Sequence, residues 1–159
     1  MGDAEFISDL VVALENGIIA KTAKQIEDLY KGFDKEFPHS ELYRNIINDF
    51  FNVLLRELAP LHETYMMKSY VVNSLFCAYV ACKYGIPEQN DLTDVRRNLE
   101  KQFNFHIINN RLLELAEAHE LQDIEGEHAE YVEACLSSTT KMAQRRVRFQ
   151  TLVEIFAGE

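Results

Sequence analysis

The sequence predicts an all-α protein, and three observations support that fold class. Apolar residues recur three or four positions apart along the whole chain, whereas strict alternation never lasts for the length of a strand. Only six glycines and three prolines interrupt 159 residues, of which 47% are hydrophobic. A chain of this length is expected to form one domain. We therefore predict a single compact domain over residues 1–159, a multi-helix bundle of about six to eight helices.

The first two helices are indicated by their capping residues. The first is predicted over 3–16, because Gly17 can supply the left-handed turn that ends a helix. The second is predicted to start at the capping box Thr22–Gln25 and to end at Pro38. Its apolar face is predicted to comprise Ile26, Leu29, Tyr30, Phe33 and Phe37.

The next two helices differ in how much of their surface is apolar. A third helix is predicted from Ser40 to a point before Pro60, with an apolar arc wide enough to contact more than one neighbour. The fourth, over residues 62–84, is apolar on most sides and is terminated by Gly85-Ile-Pro87. This pattern is typical of a central apolar helix surrounded by the others.

The remaining helices are predicted with less distinct boundaries. Asn90 or Asp91 can cap a fifth helix, whose apolar positions would be Leu92, Val95, Leu99 and Phe103. A sixth is predicted over 112–121, and the segment 103–110 before it is ambiguous. Two further helices are expected around 127–135 and 140–156.

Composition bounds the cellular context. The longest apolar span, 69–84, is interrupted by polar residues and falls short of the ~20 residues that a bilayer requires. Asp3 and Glu5 stand where a signal peptide would need positive charge. The three cysteines, at 77, 82 and 135, lack C-x-x-C spacing, which argues against a disulfide framework or a zinc site. We expect a cytoplasmic protein without membrane contact.

Charge is distributed unevenly along the chain. The net charge is −10, but residues 1–136 sum to −12 and residues 137–159 to +2. The segment 112–136 contains eight acids and neither lysine nor arginine: Glu114, Glu117, Glu120, Asp123, Glu125, Glu127, Glu130 and Glu133. A basic cluster follows, formed by Lys141, Arg145, Arg146 and Arg148.

Two interpretations of the basic cluster compete. It could contact a phosphate backbone, but four cations are a small footprint and a remainder of −12 repels a polyanion. We favour a structural role, in which the cluster pairs with the adjacent acidic segment or lies on a solvated face. Arg145 borders the apolar face of the last helix, where it could bury its stem and fork onto a carboxylate or onto helix carbonyls. Thr139 or Thr140 is predicted to cap that helix.

No arrangement of residues in the sequence requires catalysis. Glu125 and His128 have the i, i+3 spacing of di-iron ligands in helical bundles, but the second copy that such a site needs is missing. The six glycines never cluster into a phosphate-binding loop. We therefore predict a non-enzyme with no catalytic residue, metal or cofactor, and keep a bundle enzyme with a metal at Glu125 and His128 as an alternative.

Several segments resemble the helical C-terminal region of GmrSD-type proteins, a restriction and phage-defence family. The resemblance is carried by Asp3-x-Glu-Phe-Ile-Ser-Asp-Leu-Val-Val-Ala-Leu-x-x-Gly-Ile18, by Ile26-Glu-Asp-Leu-Tyr-Lys-Gly-Phe-Asp34 with Glu36-Phe37, by Ser74-Leu-Phe76, and by Thr139-Thr140 with Arg145 and Arg148. Family members carry an N-terminal ParB-like domain with a D-G-Q-Q-R signature, to which nucleotide hydrolysis and DNA-directed activity are ascribed. Neither that signature nor an HNH-type nuclease half occurs here.

The resemblance implies a non-catalytic scaffold or interaction module. Its expected partner is a ParB-like domain in cis or in trans, and self-association into a homo-oligomer stays open. The alternative is a nucleic-acid-binding helical module that uses Lys141, Arg145, Arg146 and Arg148.

Overall fold

Seven α-helices and two single-turn 3₁₀ helices form the part of the chain that the computed structural model describes, residues 2–87 and 97–158. The α-helices are α1 (Asp3–Asn16), α2 (Ala23–Gly32), α3 (Ser40–Arg56), α4 (Ser69–Lys83), α5 (Phe105–Glu120), α6 (Ala129–Leu136) and α7 (Met142–Ala157). The 3₁₀ helices are Ala59–Leu61 and Tyr65–Met67. These residues contain no β-strand, and the all-α prediction is confirmed.

Helix α4 lies at the centre of the molecule. Every residue from Val71 to Cys82 is buried, as expected for a helix that is apolar on nearly all sides. Its most extensive contact is with α7, and it also packs against α1 and α3. The hydrophobic core therefore surrounds α4 and draws buried side chains from every α-helix except α2.

The predicted fourth helix, over 62–84, is wrong at its start, because α4 begins only at Ser69. The hydroxyl of Thr64 accepts a hydrogen bond from the backbone N–H of Met66 at 3.2 Å, which starts a separate 3₁₀ turn. Lys68 is then extended, with φ −63° and ψ 137°. An extended residue interrupts the i→i−4 hydrogen bonds of an α-helix, so the helix cannot run through this position.

The predicted capping residues fix the end of the first helix and the start of the second. The backbone N–H of Gly17 donates to the carbonyl of Ala13, and Gly17 ends α1 with a φ of 75°. The Thr22 hydroxyl accepts from the backbone N–H of Gln25 at 3.3 Å and starts α2. However, α2 ends at Gly32 rather than at Pro38.

The aromatic residues predicted for the end of the second helix lie in the turns that follow it. The rings of Phe33 and Phe37 pack against each other with centroids 4.3 Å apart, and Phe37 also contacts Tyr43 of α3 at 5.7 Å. Side chains four positions apart also meet on one face of a helix, so the contact between Phe33 and Phe37 does not by itself explain why α2 ends at Gly32.

The prediction of a fifth helix falls partly outside the described residues. Its expected caps and first apolar positions, Asn90, Asp91, Leu92 and Val95, lie there. Residues 97–104 contain no helix, and Leu99 lies in a turn. The ring of Phe103 packs against Tyr79 and Phe156, with centroids 5.1 and 5.7 Å away, so tertiary contacts hold this segment against the core.

Most of the ambiguous segment 103–110 belongs to the predicted sixth helix, which begins at Phe105. Asn104 Oδ1 accepts a hydrogen bond from the backbone N–H of Ile107 at 3.3 Å, and this cap starts α5 at Phe105. The last two predicted helices correspond to α6 and α7. Met142, the first residue of α7, is 43% exposed.

Candidate functional site: the buried arginines and the α6–α7 groove

Two of the four residues of the basic cluster are buried in the interior. Arg145 is 6% exposed and Arg148 is 1% exposed, because the face of α7 that carries them packs against α4. A guanidinium that is removed from water needs hydrogen-bond partners for its donors. The surrounding helices supply those partners.

Arg145 forks onto a carboxylate of the first helix. Its Nη1 lies 3.1 Å from both carboxylate oxygens of Asp9, and its Nη2 donates to Asn73 Oδ1 at 2.9 Å. Asn73 Nδ2 in turn donates to Asp9 Oδ2 at 3.1 Å. The buried pair therefore joins α1, α4 and α7, and of the two partners considered for Arg145, a carboxylate or helix carbonyls, the structure shows the carboxylate. The interpretation that the cluster pairs with the adjacent acidic segment 112–136 is wrong for Arg145, because its ion pair is with Asp9 of α1.

Arg148 binds backbone carbonyls instead of a carboxylate. Its Nη1 donates to the carbonyl of Ala134 at 2.6 Å, its Nη2 to that of Thr139 at 2.7 Å, and its Nε to Ser74 Oγ at 3.1 Å. Its guanidinium also lies 5.2 Å from the ring centroid of Tyr70. Burial lowers the pKa of Arg148. The carbonyls at the end of α6 carry partial negative charge, which suits a cation.

The threonines before α7 do not cap it. Lys141 occupies the N-cap position, and no side chain caps the helix. Ser138 has a φ of 51°, and its carbonyl accepts from the backbone N–H of Lys141, so the chain turns before the helix starts. The carbonyls of Thr139 and Thr140 accept from Arg148 and from the backbone N–H of Lys21. The prediction of Thr139 or Thr140 as N-cap is therefore wrong.

Only Lys141 and Arg146 of the basic cluster reach the surface. Lys141 is exposed and Arg146 is half-buried. The guanidinium groups of Arg145 and Arg148 donate their hydrogen bonds to partners inside the protein, so these two residues cannot bind phosphates. The electrostatic footprint for nucleic acid is reduced to two side chains, beside the strongly acidic remainder of the chain.

A groove of about 470 Å³ lies on the surface between α6 and α7. Its apolar lining comes from Ile124, Ala134, Leu136, Ala143 and Val147. The small side chains of Ala134 and Ala143 leave the space between the two helices open. Ile124 is 52% and Leu136 is 45% exposed, so large apolar side chains on this surface remain in contact with water.

The polar lining of the groove is acidic. Glu130 and Glu133 are its charged members, and both are exposed side chains of α6. Ser137 and Gln144 complete the lining, and Gln144 Oε1 is buried without a hydrogen-bond partner. A buried acceptor without a donor is unfavourable, so an added donor at this position would stabilise the groove.

Two other cavities have less suitable linings. One of about 260 Å³ between α5, α6 and α7 is lined by Glu114, Glu127, Glu130 and Glu154, with His128 at its edge. Another of about 430 Å³ lies between α1 and α2, is as open to solvent as the α6–α7 groove, and has a lining that includes the polar residues Glu15, Asn16, Gln25 and Asp28. Across residues 2–87 and 97–158, no group of three or more His, Cys, Asp or Glu side chains could hold a metal ion. The alternative of a metal at Glu125 and His128 has no geometric support.

The sequence did not predict the hydrogen-bonded cluster that surrounds the carboxylate of Asp49 at the end of α4. Asp49 Oδ2 accepts hydrogen bonds from Tyr79 at 2.6 Å, Tyr84 at 2.7 Å and Lys83 at 2.8 Å. Burial alone would raise the pKa of Asp49, but the three donors outweigh it and hold the pKa below its usual value. The i, i+4 spacing of Tyr79 and Lys83 was the available signal, but nothing local pointed to Asp49.

The cysteines take no part in a reactive site. Cys77, Cys82 and Cys135 are all buried in the core. Burial raises the pKa of the Cys77 thiol to about 12, so the nucleophilic thiolate is not formed near neutral pH.

No protein-family model, curated protein or solved structure matches this chain. No helix in the described ranges is long and apolar enough to span a membrane. The fold and the groove define an all-α protein with an acidic-rimmed apolar surface.

Proposed function

We propose that this chain is a non-catalytic helical interaction module. Its partner is a ParB-like, nucleotide-hydrolysing domain of a restriction or phage-defence protein, in cis or in trans. The observation that carries the docking part of the proposal is the apolar groove between α6 and α7, whose large side chains Ile124 and Leu136 face water. The choice of partner rests on the resemblance of the chain's two ends to the GmrSD-type family.

Burial of the groove would supply the driving force for association. Removing apolar surface from water stabilises a complex by roughly 25 cal/mol per Å². Leu136 and Ile124 have substantial exposed area to bury, and Val147 is half-buried beside them. The rim of glutamates would orient the partner rather than add much affinity.

The buried network supports a module that binds without rearranging. Arg148 ties the end of α6 to α7 and α4, and Arg145 ties α7 to α1. The two walls of the groove are therefore held by hydrogen bonds to the core. A preformed groove loses little conformational freedom on binding, which favours affinity.

The experiment is an affinity pull-down from lysate of the source organism, with and without nuclease, read by mass spectrometry. The native chain is compared with Leu136→Asp, which places a charge in the groove. Leu55→Asp is the matched control, since Leu55 is 64% exposed on α3 and does not line the groove. We expect a D-G-Q-Q-R protein to be recovered by the native chain and by Leu55→Asp, to resist nuclease, and to be lost with Leu136→Asp.

Two results would contradict the proposal. Recovery of the D-G-Q-Q-R protein to the same extent by Leu136→Asp would show that the groove is not the contact. Recovery of nucleic acid alone, abolished by nuclease, would favour a nucleic-acid-binding module based on Lys141 and Arg146.

A further inference from the structure

The occupant of the α6–α7 groove can be deduced from the chemistry of its lining. This step rests on the proposed docking function and concerns the kind of segment that binds. Both walls are helices, whose backbone groups are already hydrogen-bonded internally. No β-strand edge exists in the described residues to pair with an extended peptide. Recognition must therefore come from side chains that enter the groove.

The α6 wall of the groove is long enough to contact two turns of a bound helix. The eight residues of α6 span about 12 Å at 1.5 Å per residue, which corresponds to two helical turns. A helix that lies along such a groove presents apolar side chains at positions i, i+3, i+4 and i+7. The apolar side chains of Ile124, Leu136 and Val147 are the surface that those anchors would cover.

The negative charge of the groove's rim indicates which residues flank the apolar anchors of the bound helix. Glu130 and Glu133 line the groove, and Asp123, Glu125 and Glu127 are exposed in the segment just before α6. No lysine or arginine occurs anywhere in residues 112–136. Neither Lys141 nor Arg146 lines the groove. The rim therefore attracts cations and repels polyanions such as nucleic acid or an anionic membrane surface.

The unpaired amide oxygen of Gln144 favours a bound segment that carries hydrogen-bond donors. Gln144 Oε1 is buried at the groove without a donor, whereas lysine and arginine carry only donors. A lysine or arginine at the rim would pair with Glu130 or Glu133 and would bring its donors to the part of the groove that Gln144 lines. We infer that the groove binds a basic amphipathic helix of a protein partner, with apolar anchors flanked by lysine or arginine.

The test uses two synthetic peptides of about 16 residues, a length at which a favourable sequence can form a helix. One carries leucines at i, i+3, i+4 and i+7 and lysines elsewhere, and the other has glutamate in place of every lysine. Binding to the full chain is measured by fluorescence anisotropy at low and at physiological salt. We expect the lysine peptide to bind roughly tenfold tighter or more, with affinity that falls as salt rises.

Variants of the chain separate charge from apolar contact. Replacing both rim acids, Glu130→Lys with Glu133→Lys, should invert the preference between the two peptides. Leu136→Asp should abolish binding, and the control Leu55→Asp should leave it unchanged. All four positions are exposed, so circular dichroism should show an unaltered helical fold for each variant.

The inference is overturned by equal affinity for the two peptides, by binding of neither, or by a preference that survives the double charge reversal. It is also overturned if native mass spectrometry shows a dimer that Leu136→Asp dissolves, because a second copy would then occupy the groove. Recovery of the D-G-Q-Q-R protein in a Leu136-dependent manner with no peptide preference would leave the docking function intact and remove only this inference.

Discussion

At the scale of single residues, Asp49 of α3 binds three side chains at the end of the apolar helix α4. One oxygen of Asp49 receives hydrogen bonds from two tyrosines and a lysine, and Lys83 also donates to the Tyr79 hydroxyl at 2.9 Å. The cluster connects α3 to the last turn of α4 while remaining partly open to water. Its stabilising effect therefore depends on the ionised form of one carboxylate.

The pH dependence of stability should report on Asp49. The pKa of this carboxyl is lower in the folded protein than its ordinary value of 3.8. Its stabilising contribution is therefore complete above that value and is lost as the pH falls through it toward the lower folded pKa. We expect Asp49→Asn to cost about 1 kcal/mol at neutral pH, a figure reduced because the side chain is about a third exposed.

The measurement is urea denaturation of the native chain and of Asp49→Asn at neutral pH and at acid pH. The difference in unfolding free energy between the two proteins should shrink as the pH falls below the ordinary carboxyl range. A difference that stays constant would contradict the role assigned to the ionised carboxylate.

At the scale of elements, α1 and α2 differ in how their terminal glycines are used. Gly17 adopts φ 75° and ψ −153°, a conformation that is accessible essentially only to glycine. Gly32 ends α2 in an ordinary helical setting, and a Cβ built there would contact nothing within 4 Å. The same substitution should therefore have opposite effects at the two positions.

Gly17→Ala and Gly32→Ala form a matched pair for thermal denaturation. We expect Gly17→Ala to destabilise the protein by about 1–3 kcal/mol, because alanine is strained at that backbone conformation. Gly32→Ala should stabilise it by about 0.5–1 kcal/mol, because alanine restricts the unfolded chain and favours the helix. Equal shifts in Tm for the two variants would show that the backbone at Gly17 does not require glycine.

At the scale of the whole molecule, a buried ion pair connects the two ends of the chain. Asp9 and Arg145 are 136 positions apart in sequence, and their side chains are 5% and 6% exposed. Desolvation makes such a pair a weak source of net stability, but removal of one partner leaves a buried charge uncompensated. The pair therefore specifies how α1 and α7 meet on α4 more than it strengthens the fold.

Substitution of Asp9 tests that interpretation. Asp9→Ala should lower the unfolding free energy by about 3–5 kcal/mol, since Arg145 would remain buried without its carboxylate. The double variant Asp9→Leu with Arg145→Met should recover only part of that loss, because both charges are replaced by apolar groups but the buried amide of Asn73 loses both partners. The double-mutant cycle is completed by urea denaturation of the native chain, of Asp9→Leu, of Arg145→Met and of the double variant.

The exposed pair of Glu27 and Lys31 in α2 is the control for this cycle. Glu27→Ala should change stability by less than about 1 kcal/mol, as is typical of solvated ion pairs. If Asp9→Ala were as mild as Glu27→Ala, the interior position of Arg145 would have no energetic consequence.

Much of the fold follows from local signals in the sequence. The Thr22 capping box and the Gly17 turn act within one or two turns of chain, and they correctly predict the start of α2 and the end of α1. The burial of α4 also follows from its composition. The early end of α2 and the late start of α4 could not be predicted, because the packing of Phe37 against Tyr43 of α3 and the 3₁₀ turn before α4 form only in the folded chain.

The sequence by itself determined the all-α class and the central apolar helix, and it left two kinds of partner open for Arg145, a carboxylate or helix carbonyls. Only the tertiary structure decided that the carboxylate is Asp9, that Arg148 binds the carbonyls of Ala134 and Thr139, and that α6 and α7 leave a groove between them. The physical reason is one of range. Helix formation depends on residues three or four apart, whereas ion pairs and grooves depend on how distant helices stack.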